Sequence, residues 1–94
     1  MRQLVKEMSI SHADFLRLLP LAMGGMPYSY ANLRIQAAQG MRRVMIELSE
    51  QRLIQIGALS LPSIIMTLKS VGFGDQEWTA FLRRFDATFH RGGG

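Results

Sequence analysis

The chain contains no cysteine. That excludes a disulfide framework, a cysteine-ligated zinc site and thiol chemistry. It has no uninterrupted apolar run of about 18 residues, the length a membrane-crossing helix needs. It also lacks any block of five or six like charges of the kind that marks a polyanion-binding tail. Lysine is scarce: of 11 basic residues only Lys6 and Lys69 are not arginine. The tightest like-charged groups are the pairs Arg42–Arg43 and Arg83–Arg84. Such dispersion favours ordinary solubilising charge over a dedicated polyanion surface, although the net charge is +4.

What is present amounts to one domain. Ninety-four residues cannot build two cores. Hydrophobic residues make up 48% and charged residues 19%, too apolar a mixture for a disordered chain. The first residues carry Arg2, Lys6 and Glu7 with no apolar core behind them, so no secretory signal is expected and the cytoplasm is the expected location. Residues 1–91 are expected to form the domain and 92–94 a flexible glycine tail.

The hydrophobic period changes along the chain. Residues 2–10 alternate loosely, with Leu4, Met8 and Ile10 on one face and Lys6 as the exception, and predict a short strand. Ser11 is a helix N-cap, and Phe15, Leu18, Leu19 and Ala22 follow at helical spacing. Pro20 is expected to kink or end that helix near Leu19, and Gly24-Gly25 to stop it. Residues 26–31, with Tyr28 and Tyr30, read as a loop. Period two then sets in. Leu33, Ile35 and Ala37 alternate with Arg34, Gln36 and Ala38, and Gln39-Gly40 reads as a tight turn. Val44, Ile46 and Leu48 alternate with Arg43, Met45 and Glu47. Ile54, Ile56 and Ala58 alternate with Leu53, Gln55 and Gly57. A fourth run of this series spans Ile64 to Val71, with Pro62 ahead of it at a strand start or edge. Asp75 is the expected N-cap of a last helix, in which Trp78, Phe81, Leu82, Phe85 and Phe89 form one stripe and Gly92 is the expected stop.

The expected fold class is therefore α+β: a single antiparallel sheet with two helices on one face, in the order β-α-β-β-β-β-α. That order of elements resembles the βαβ4α arrangement of TATA-box-binding-protein-like and related helix-grip folds. The likeness implies a sheet with its helices on one side and carries no functional residue.

Chemistry finds little support. His12 and His90 have neither metal-ligand spacing nor a facing carboxylate; His12 and Asp14, two apart on a helix, point in different directions. No Gly-x-Ser-x-Gly elbow is present. Gly72-Phe73-Gly74 stands where a phosphate turn would, but Asp75 and Glu77 put negative charge there. The ending Arg91-Gly92-Gly93-Gly94 suggests a sulfur-carrier tail, yet such tails leave a strand and this one leaves a helix. No enzyme activity and no cofactor are expected.

Aromatic residues weigh most. Nucleic-acid-binding sheets place them outward for base stacking. Here they fall in helical stripes or the 26–31 loop. The outward strand positions are instead Arg34, Gln36, Arg43, Met45, Glu47, Leu53 and Gln55, with either Ile65, Thr67 and Lys69 or Ile64, Met66 and Leu68. Such a half-apolar face fits a partner surface. The expected function is a small non-catalytic binding or adaptor module that contacts another protein, or a second copy of itself, through Arg34, Arg43, Met45 and Leu53. The alternative is a nucleic-acid-binding domain using Arg34, Arg43, Lys69, Arg83, Arg84 and Arg91. A third reading places a small ligand between sheet and helix near Trp78.

Overall fold

The computed structural model describes the backbone of residues 1–93 and the side chains of residues 1–90. Strand β1 (Arg2–Met8) leads into helix α1 (His12–Met23). Strands β2 (Tyr28–Ala31), β3 (Arg34–Gln39), β4 (Arg42–Leu48), β5 (Arg52–Ile56) and β6 (Leu59–Val71) follow, then helix α2 (Asp75–Gly93). All pairings are antiparallel, with spatial order β1-β6-β4-β3-β2 and β5 paired with β6 alone.

The α+β class and the single antiparallel sheet agree with the sequence; the element order needs one more strand. Residues 28–31 pair with β3 rather than forming a loop. Two residues in the left-handed region, Asn32 (φ 53°) and Leu33 (φ 62°), make the tight turn between β2 and β3. Leu33 therefore belongs to the turn, not to the strand expected to begin there.

Helix α1 begins as its sequence indicates. The Ser11 hydroxyl accepts from the Asp14 N–H at 3.1 Å, and Gly24 closes the helix at φ 62°. Pro20 does not end it. Buried Phe15, Leu18, Leu19, Ala22 and Met23 lie on both sides of the proline, so packing against the sheet holds the last turn despite the lost bond. At α2 the cap is Gly74 rather than Asp75: the Trp78 N–H reaches the Gly74 carbonyl. Glu77 Oε1 accepts from the Gly74 N–H at 2.8 Å, the returning half of a capping box. Helical geometry continues to Gly93, one residue beyond the expected stop.

Ile35 and Ala37 of β3, Val44, Ile46 and Leu48 of β4, and Ile64, Met66 and Leu68 of β6 form the sheet side of the core. Phe15 stacks on Phe89 at 4.7 Å between ring centroids. The chain of rings continues through Phe85, Phe81 and Trp78 to Phe73. Lys6, on the helix-facing side of β1, is accommodated by Asp86 of α2 at 3.5 Å.

Candidate interaction surface

β6 is long because it has two sets of neighbours. Its later half runs between β1 and β4, while its first residues pair only with β5. The strands β4 and β5 follow the same line along β6, joined by residues 49–51. The Ser49 N–H donates to the Ile65 carbonyl at 2.9 Å, and Ser49 Oγ accepts from the Ile65 N–H at 2.8 Å. His12 fixes this joint from α1. Its Nε2 lies 2.7 Å from the Ser49 carbonyl, and its backbone N–H donates to Gln51 Oε1 at 2.8 Å. A structural anchor is thus the role the geometry gives His12.

The joint contains one extra residue. Leu48 is opposite Met66 and Arg52 is opposite Ser63, so four steps on one strand match three on the other. This is the register of a β-bulge, and it inverts which side chains face which way. Before the joint, Val44, Ile46 and Leu48 face the helices. Beyond it, Ile54 pairs with Leu61 and Ile56 with Leu59, in register with the outward set of β6. Leu53 pairs with Pro62, in register with the core set.

The expected site therefore divides. On the helix-free face, Met45, Arg43 and Lys69 line one concavity of about 530 Å³ together with Gln36, Ala38 and Val71. Met45 is directly opposite both Gln36 and Lys69, and Arg43 is opposite Ala38 and Val71. Arg34 is one row away, opposite Glu47. Leu53 does not join them: the extra residue turns it to the other side of the sheet, and β5 is not laterally adjacent to β4. The open choice on β6 is decided for Ile65, Thr67 and Lys69 as the outward set.

The cations divide too. Arg83 and Arg84 lie on α2, across the sheet from Arg34, Arg43 and Lys69, so one ligand surface cannot meet all five. The side chain of Arg91 falls outside the described residues. Among the described residues no carboxylate is within ion-pair distance of Arg34, Arg43 or Lys69, whereas Arg2, Lys6, Arg17, Arg42 and Arg52 are each paired. The Arg43 guanidinium donates to the carbonyls of Gly40 and Arg42 at 2.9 and 3.1 Å, which directs its head toward the β3–β4 turn.

Trp78 itself is taken up by packing, and the concavity nearest to it, about 320 Å³, is lined by its neighbours Phe73, Glu77 and Phe81 with Met23 and Arg84. Trp78 stacks on Phe81 at 5.5 Å, meets Phe73 edge-on and is covered by the Arg2 guanidinium. Among the described residues no group of three or more His, Asp or Glu is placed to hold a metal ion, and no helix is long and apolar enough to cross a membrane.

The sequence reading missed the apolar set on the projecting hairpin of β5 and the start of β6. Ile54, Ile56 and Leu59 are 37%, 60% and 63% exposed, with Leu61 beside them. A signal was available: no charged residue occurs between Arg52 and Lys69. Exposed strands ordinarily carry charge that blocks unwanted pairing, so an uncharged projecting hairpin marks a surface with something to meet. No protein family, curated protein or solved structure matches the chain.

Proposed function

We propose that this chain is a small non-catalytic protein-binding module, working in the cytoplasm through the helix-free face of its sheet. The carrying observation is the composition of that face. Val5, Met45, Ile65 and Val71 are exposed on it, around a concavity with a cationic edge. Water gains nothing from these side chains, and a protein partner that covers them gains roughly 25 cal/mol for each Å² of apolar surface removed. Tyr28 and Tyr30 pair with Ala37 and Ile35, hence in register with the core side, so they supply no stacking platform for bases on the open face.

A photo-reactive amino acid placed at Gln36, in the concavity, tests this reading inside cells. Protein adducts are expected from Gln36 and not from the same group at Gln76 on α2. Equal adducts from both positions, or none from Gln36, overturn it. A second reading, nucleic-acid binding, is favoured by the unpaired Arg34, Arg43 and Lys69. It expects nucleic-acid adducts at Gln36 and an affinity for labelled oligonucleotides that falls steeply with salt.

A further inference from the structure

We infer that the partner for this face is a second copy of the chain, docked so that each projecting hairpin covers the other's concavity. The inference rests on the protein-binding reading above and specifies its occupant.

The outward residues of β6 are arranged almost symmetrically about Ile65. Leu59 mirrors Val71, Leu61 mirrors the aliphatic stem of Lys69, and Ser63 mirrors Thr67. A surface that pairs with itself about a two-fold axis needs each residue to be complementary to the one at its mirror position, and here aliphatic groups meet aliphatic groups and Ser63 meets Thr67. Place the axis at Ile65, in the plane between two facing sheets and across the strands. Ile65 then meets its own copy. Ile54 and Leu61 of one chain lie over the Met45–Lys69 row of the other, and Ile56 and Leu59 lie over the Arg43–Val71 row. These two rows line the concavity.

Charge agrees with the same placement. Arg52, opposite Ser63, comes over the row of Thr67, where Glu47 stands. Two Arg52–Glu47 contacts form, one on each side of the axis. The Arg43 head is already turned toward the β3–β4 turn and leaves the centre of its row free. Lys69 can extend its ammonium to the rim while its stem is covered. Glu7, opposite Ile65, approaches its own copy near the axis; Arg52 of the same chain, 3.9 Å from Glu7, offsets that repulsion. The facing rows are two strands wide, about 10 Å, along a molecule 46 Å long, because β5 and the start of β6 stand alone in the hairpin. Their product is roughly 450 Å² per partner before side-chain relief is counted, the size of a weak, concentration-dependent association.

Sedimentation velocity of the whole chain between 1 and 500 µM (roughly, to bracket micromolar to submillimolar dissociation constants) is the test. A concentration-dependent dimer is expected. Ile56→Lys, at the hairpin tip and remote from the core, should weaken it at least about tenfold, and Ile65→Asp, which faces itself across the axis, at least about a hundredfold. Leu53→Lys, on the other side of the hairpin, should leave it unchanged. Arg52→Gln and Glu47→Gln should each weaken association, and the two losses should not add in the double variant. If Ile65→Asp fails to fold by circular dichroism, Ile56→Lys and the Arg52–Glu47 cycle decide. A monomer at every concentration, or a dimer indifferent to Ile56→Lys, or fully additive losses at Arg52 and Glu47, overturns the inference. A monomer that still gives protein adducts at Gln36 overturns self-pairing alone; a monomer without adducts overturns the binding reading with it.

Discussion

The two halves of β6 share a strand and a composition, yet they meet different fates. Ile64, Met66 and Leu68 are at most 1% exposed, between β1 and β4 and beneath both helices. Leu53, opposite Pro62 of the earlier half and on the same side of the sheet but beyond the helices, is 70% exposed. Both stretches are aliphatic and both are fully paired to a neighbour. Burial therefore follows from what covers a strand, not from its own preference for extended structure. The body obtains its core from helices that arrive on one face. The hairpin has no such cover, and two strands alone are marginal in water.

The comparison can be broken most severely from the body. Phe85→Ala removes a ring in contact with Phe15, Phe81 and Phe89 and should cost about 3–5 kcal/mol, a large part of the roughly 5–10 kcal/mol available to a domain of this size. Chemical denaturation should show a midpoint far below that of the parent; an unchanged midpoint would mean the ring chain is not the core. Next in size is Gly72→Ala. Gly72 has φ 82°, and a Cβ there would strike the Met41 backbone carbonyl. Backbone at this turn cannot give way as a flexible side chain can, so a loss of about 1–3 kcal/mol is expected in the same measurement. Ser11→Ala removes the hydroxyl that receives the Asp14 N–H and should cost about 1 kcal/mol, read as a small fall in melting temperature. The smallest effect belongs to the hairpin. Leu53→Thr, at a side chain 70% exposed, should change stability by less than about 0.5 kcal/mol. A loss comparable to that of Phe85→Ala would show that the hairpin folds as one unit with the body, and the contrast between the halves of β6 would fail.

Much of the body was legible because each segment carries its own period. The stripe from Trp78 to Phe89, the Ser11 cap and the alternations through Ile35 and Val44 all have one solution that buries the apolar face of each segment at once. Met45, Arg43 and Lys69 came together for the same reason: the register that buries Val44 and Leu68 turns their neighbours outward. Pro20 misled because a local rule met a helix held from both sides by tertiary packing. Tyr28 and Tyr30 misled because a four-residue edge strand has too short a pattern to separate from a loop. Leu53 misled for a different reason. The polar run Ser49-Glu50-Gln51 reads as a turn between two strands, but Leu53 and Ile54 after it are both apolar, and polarity does not say which of the two faces the core.

The sequence by itself determined the class of fold, the helix that caps the core and the outward direction of Arg43, Met45 and, once β6 was phased, Lys69. Period and polarity are properties of a segment, and water sorts them wherever that segment lies. Only the tertiary structure decided that β5 leaves the body, that Ile54 and Ile56 face the same side as Met45, and that Leu53 does not. Those outcomes depend on a one-residue mismatch between two paired strands, held by Ser49, Gln51 and a histidine 37 positions away from the serine it grips. A register is a relation between two segments, and neither segment contains it alone.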